Sequence, residues 1–192
     1  MLRLTRATTA LLGVTLLVAT GCVSLPWVPA GGSYTSDAHD YTIDLPQGWM
    51  RWTRDERDDL IVTRDGPLLQ HILIERFHIE EPLKHTKKKL AKGMMPQDAA
   101  EVILDNYSSN KDISGVDVKD NRPITISGKP GFRAVLTYKT KDDLKLRVVY
   151  CGVIQGEWFY GIRYSAPQRH YFDKDLKTFE TVLRSFKLNK TA

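Results

Sequence analysis

The sequence has little cysteine, no long apolar run and none of the compact motifs that announce a reaction. Only two cysteines, Cys22 and Cys151, occur in 192 residues. A disulfide framework of the kind that staples small secreted domains is therefore excluded, and a chain of this length needs none to bury a core. The apolar stretch near the amino terminus, Ala7–Ala19, has thirteen residues, well short of the ~20 apolar residues that span a bilayer. Gly21, Pro26, Pro29, Gly31 and Gly32 follow it and would not continue a membrane helix. Walker loop, G-x-S-x-G elbow and H-E-x-x-H are all missing, which removes the usual signatures of nucleotide hydrolysis, esterase chemistry and zinc proteolysis. Charge of one sign is also scarce. The formal net charge is +5, a mild excess not gathered as nucleic-acid binding requires. No repeat or low-complexity tract is present.

What is present begins at the amino terminus. Met1–Arg6 carries two arginines and no acid, and the uncharged stretch Ala7–Ala19 follows, the order of a signal n-region and h-region. The stretch ends Val18-Ala19-Thr20-Gly21-Cys22, which resembles the lipobox of bacterial lipoproteins, with Ala19 where that pattern usually has Leu. The resemblance implies removal of residues 1–21 and acylation of Cys22. Several acyl chains at ~0.8 kcal/mol per buried methylene make a permanent membrane tether. Ala19-Thr20-Gly21 also suits an ordinary signal peptidase, so two enzymes remain open at one cut before Cys22. Loss of Arg3 and Arg6 lowers the charge from +5 to +3. Val23 is not the Asp that marks inner-membrane retention in enterobacterial lipoproteins, which leans the expectation toward the outer membrane.

Residues 22–36 read as a lipidated terminus and flexible spacer, with two prolines and paired glycines, and 37–192 as one domain. Tyr41–Leu45 alternates with period two and closes at Pro46-Gln-Gly48. Trp49–Thr53 and Leu60–Arg64 are short strand candidates. Leu68–Ile79 is apolar on both phases, as a strand covered on both sides should be. Pro96–Asn110 predicts a helix, with Pro96 in its first turn and a stripe of Ala100, Ile103, Leu104 and Tyr107. Gly115–Ile126 is turn-rich and extended. Phe132–Lys139, Leu144–Gln155 and Trp158–Tyr164 predict an antiparallel meander. His170–Arg184 predicts a helix with Phe172, Leu176, Phe179 and Leu183 at helical spacing, and Lys187-Leu188 a short terminal strand. The fold class is α+β, an antiparallel sheet with helices on both faces.

Three stretches resemble the PsbP/Mog family of α/β/α sandwich domains: Tyr41-Thr-Ile-Asp-Leu-Pro-Gln-Gly-Trp49, Gly128-Lys-Pro-Gly-Phe132, and the ending from Tyr164-Ser-Ala-Pro through Phe172, Phe179, Val182-Leu183 and Ser185-Phe186. The resemblance implies a small accessory or binding domain that assists a larger assembly without catalysis. It carries over no specific binding residue, since fold alone does not determine function.

The search for chemistry yields little. Cys151, inside Val148–Ile154, reads as a small hydrophobe in a strand. His71 and His78, seven apart on one strand, point to opposite faces and cannot share an ion. No metal or cofactor is expected. The most distinctive charge feature is Lys84, Lys87, Lys88, Lys89 and Lys92, five lysines in nine residues. They read as a solvated loop or as a contact for anionic headgroups or an acidic partner, worth about 1 kcal/mol per lysine near an anionic surface. The leading expectation is a non-catalytic, lipid-anchored periplasmic domain that binds an envelope component. Its rivals are an envelope enzyme built from scattered polar residues and a carrier using the aromatic face of Trp158 and Tyr160.

Overall fold

The computed structural model describes residues 26–53 and 59–189. The leader 1–21 and Cys22 lie outside the described residues. In chain order the elements are β1 (Trp27–Pro29), β2 (Gly32–Thr35), β3 (Tyr41–Leu45), β4 (Met50–Trp52), β5 (Leu60–Thr63), β6 (His71–His78), α1 (Pro96–Ser108), β7 (Ile113–Ile126), β8 (Lys129–Thr140), β9 (Lys145–Gln155), β10 (Trp158–Pro167), α2 (Phe172–Ser185) and β11 (Lys187–Leu188). They form an eight-stranded sheet in the order β1-β4-β5-β6-β10-β9-β8-β7 and a three-stranded sheet β11-β3-β2. Every pairing is antiparallel.

Turn chemistry sets the large hairpins. Ser127 and Gly128 both have positive φ, 50° and 74°, the two-residue turn whose twist matches right-handed strands, so β7 and β8 pair from Ile126↔Lys129 outward. The stretch read as turn-rich is thus one fourteen-residue edge strand. Its two register shifts, Pro123 and alternating charges are devices that keep an exposed edge from pairing with another chain.

The spacer expectation needs correction. Trp27–Pro29 and Gly32–Thr35 are strands paired to β4 and β3. The Trp27 and Trp52 rings meet edge-on at 4.9 Å, and the Ala30 amide donates to the Trp49 carbonyl at 2.7 Å. Proline is tolerated on an edge strand, and Gly31 and Gly32, with φ of 154° and 73°, turn the chain between the two. The domain therefore begins before residue 37. Likewise Tyr41–Leu45 belongs to the second sheet and not to the main one.

Side chains alternate across the pleat, and the core divides accordingly. Phe132, Ala134, Leu136, Val148, Tyr150 and Phe159 pack with Ala99, Ala100, Ile103 and Leu104 of α1. The other phase, including Val149, Cys151, Val153, Ile162 and Tyr164, packs with Phe172, Phe179 and Val182 of α2 and with Tyr41 and Phe186. Each large apolar side chain buried there contributes about 1.5–3 kcal/mol.

Two buried carboxylates on the α2 side are paired. Asp175, 1% exposed, accepts from Gln70 Nε2 and Arg64 Nη1, each at 3.1 Å, tying the first turn of α2 to the β5–β6 loop. Asp40 accepts from Ser36 Oγ at 2.7 Å and Tyr160 Oη at 2.8 Å and pairs with Arg76 at 2.6 Å. The Arg76 guanidinium lies 3.4 Å over the Trp158 ring.

Candidate functional site

The basic segment is not a loose loop. Leu90 is buried and its amide donates to the Ile79 carbonyl at 3.0 Å. Asn106 Oδ1 on α1 accepts from the amides of His85 and Thr86 at 2.8 and 3.3 Å. Asp105 accepts from the Thr86 hydroxyl and pairs with Lys88 Nζ at 3.0 Å; these bonds hold its carboxyl below the usual carboxylate range. Lys84, Lys87, Lys88, Lys89 and Lys92 are all exposed, carried on a segment bonded to α1 at one end and to Ile79 at the other. Of the five, Lys88 has an acidic partner and Lys92 lines a cleft.

That cleft, about 500 Å³, opens at the start of α1 between the helix and the sheet, and Met94, Met95, Pro96, Phe132, Ile154 and Phe159 supply most of its wall. Two strand glycines make its floor. A Cβ on Gly131 would come within 2.5 Å of the Gly152 carbonyl, and one on Gly152 within 2.6 Å of the Phe132 and Phe159 rings. Without those atoms the two rings stack 6.3 Å apart across the sheet. Met95 is 61% exposed at the lip. Flexible thioethers at a lip suit an adaptable apolar contact.

Eleven residues along α1, roughly 16 Å at 1.5 Å per residue, a second opening of about 140 Å³ differs in character. Glu75 on β6, Tyr150 on β9, Arg163 on β10 and Tyr107 on α1 face it. Tyr150 Oη donates to Glu75 Oε1 at 2.5 Å, and Arg163 Nη1 donates to Tyr107 Oη at 3.1 Å. Burial pushes both phenols upward, so they stay protonated and act as hydrogen-bonding groups. None of these four residues stood out in the sequence. The available signal was an Arg and a Glu inside otherwise apolar strands, with Gly161 between apolar neighbours as a mark of close approach.

The remaining candidates are structural. Cys151 is fully buried; desolvation pushes its thiol up to about 12 against a weaker opposing pull from Arg133, so it is inert as a nucleophile. Among the described residues no three His, Cys, Asp or Glu side chains are placed to hold a metal. Tyr160 is 3% exposed and packs against Tyr41 and Phe186 at 6.3 and 6.2 Å. The aromatic face considered for a carrier is therefore filled by the protein's own β3 and carboxy-terminal segment.

No protein-family model and no curated protein matches this sequence. Solved structures do match. The solution structure of cyanobacterial PsbP from Synechocystis aligns with a TM-score of 0.56 at 14% identity, over 90% of this chain and 99% of that one. The Ran-binding protein Mog1p of Saccharomyces cerevisiae aligns at 0.57 with 8% identity, over 84% and 96%. A Pseudomonas aeruginosa protein of unknown function, described as a putative regulator, aligns at 0.51 with 12% identity, over 78% and 92%. The fold is that of PsbP and Mog1.

The motifs that carried the resemblance are frame parts of this PsbP/Mog1 fold. Pro46–Trp49 turns at Gly48, φ 75°, and buries Trp49. Gly128–Phe132 is the β7–β8 turn and the cleft floor. The Phe-rich ending is α2 and its packing stripe. At these identities the likeness speaks for the fold alone.

Proposed function

We propose that this chain is a non-catalytic binding domain of the bacterial cell envelope, an α/β/α sandwich with a helix on each face. Lipid on Cys22 tethers it facing the periplasm, at the outer membrane, and it assists another envelope component. The observation that carries the reading is the apolar cleft at the start of α1 with its docked lysine segment. An apolar pocket with exposed Lys92 in its wall and further lysines on the adjoining segment has the anatomy of a contact surface, in which a central apolar anchor supplies affinity and peripheral charge supplies steering. The split core supports the layering. Among the described residues no helix is long and apolar enough to cross a membrane.

Binding is favoured over turnover by the state of the polar groups. Cys151 is sealed and both cavity phenols are held protonated, which supports a binding role for these groups. Two experiments test the reading. A photo-crosslinking residue placed at Met95 or Lys89 in intact envelopes should capture one reproducible partner, whereas the same residue at Thr181 on α2 should not; equal capture at all three would overturn it. Mass spectrometry of the mature amino terminus should find an acylated Cys22, and a free thiol there would remove the anchor.

A further inference from the structure

The polar cavity beneath the carboxy-terminal half of α1 contains an arrangement that packing alone does not require. Arg163 projects from the central strand β10 into the layer covered by α1, where the α2 side of the same strand carries Ile162 and Tyr164. Its guanidinium has five N–H groups. Nη1 reaches Tyr107, and Nε is buried with no acceptor at all. Among the described residues no carboxylate forms an ion pair with it. Glu75, the only acid on the cavity wall, is near enough to favour the Arg163 charge, but its hydrogen bond comes from Tyr150. A cation and an anion thus share one small cavity without joining.

That separation is built. Gly161 is paired directly with Glu75 on β6, and a Cβ there would fall 2.6 Å from Tyr150 Oη and 3.0 Å from Glu75 Cγ. The missing side chain lets the Tyr150 hydroxyl lie across β10 and hold the carboxylate. Tyr107, from the helix above, holds the guanidinium. Each tyrosine fixes one charge, and α1 with the docked segment at Leu83 and His85 completes the wall. Leaving a buried guanidinium short of acceptors costs several kcal/mol unless something else meets it.

We propose that this cavity binds a small zwitterion of the amino-acid class, its carboxylate on Arg163 and its ammonium at Glu75. Guanidinium–carboxylate recognition is geometrically specific, and the two unjoined charges match a molecule carrying both signs a short distance apart. The small volume, about 140 Å³, suits glycine or alanine better than a large side chain. Phe77, Leu83 and Ile103 on the wall accept a methyl group. The site shares no residue with the basic cleft, so either assignment can fail without the other.

The test is calorimetric titration of the purified domain with glycine, L-alanine, acetate, methylammonium and L-leucine, paired with the NMR signal of the Arg163 Nε–H. Glycine and alanine should bind and shift that signal; acetate, methylammonium and leucine should bind at least tenfold more weakly. Glu75→Gln keeps an acceptor for Tyr150 and removes only the charge, so glycine should weaken at least tenfold while acetate strengthens. Tyr107→Phe, at the other pole, should weaken glycine while leaving the thermal unfolding cooperative. No binding of glycine or alanine at millimolar concentration would overturn the proposal, as would glycine binding unaltered in folded Glu75→Gln.

Discussion

The two core clusters, one with α1 and one with α2, draw on the same strands but are finished differently. Under α2 the packing is dense: Phe172, Phe179, Tyr164 and Phe186 are buried, Asp175 pairs with Arg64 and Gln70, and Arg133 pairs with Glu180 at 2.7 Å. Under α1 the helix touches the sheet in its middle through Ala100, Ile103 and Leu104 and leaves an opening at each end. One opening is apolar with Lys92 in its wall; the other holds an Arg and a Glu kept apart. The side that is packed to completion stabilises the domain, and the side that is not is where it can meet something else. Evolution of a binding surface on a shared frame needs this division, because filling an opening raises stability and closes the site.

The largest effect should come from breaking the filled side. Phe179→Ala removes a fully buried ring from α2 and should cost about 3–5 kcal/mol in urea unfolding; a loss under about 1 kcal/mol would show that the α2 side is not the tighter one. Asp175→Ala, which strands Gln70 and Arg64, should cost about 1–3 kcal/mol by the same measurement. Acid should act next. Desolvation, with a smaller push from Arg163, lowers the His71 pKa to about 4 from 6.5, so the unfolded chain takes up the proton first. Stability contributed by neutral His71 is complete above pH 6.5 and drains away as pH falls toward 4. His71→Gln should flatten that part of the Tm-against-pH curve, and an unchanged slope would assign it to other groups. Cys151 should resist a thiol reagent at pH 8 in the native state and react at once in denaturant. The smallest effect on stability belongs to the open side: Met95→Ser should change unfolding by less than about 0.5 kcal/mol yet reduce partner capture at the cleft.

Legibility in the sequence followed the same division. The α2 side could be read, because Phe172, Phe179 and Tyr164 obey the periods of helix and strand and because apolar burial is a local property of each residue. Both helices and the three-stranded meander were placed to within a few residues. The amino-terminal strands were not, since Pro29 and Gly31 look like punctuation until an edge position is known. On the α1 side the lysine segment was visible as composition, but its docking through Leu90 and Asn106 was not. The polar cavity was invisible, because Glu75, Tyr107, Tyr150 and Arg163 are scattered over three strands and a helix, and only register brings them together. The local hints were an Arg and a Glu inside apolar strands and Gly161 between apolar neighbours.

The central claim is that the α1 side does the work. It is tested most directly by comparing two surface variants matched in charge change and made on opposite sides of the sheet. One carries Lys89→Glu, Lys92→Glu and Met95→Asp; the other carries Lys177→Glu, Thr181→Asp and Arg184→Glu on the exposed face of α2. Binding of each purified domain to isolated envelopes should fall at least about tenfold for the first, the scale of losing a contact hot spot, and stay within about twofold for the second, with unfolding of both near that of the parent. Equal loss in the two, or loss only in the α2 variant, would contradict the account.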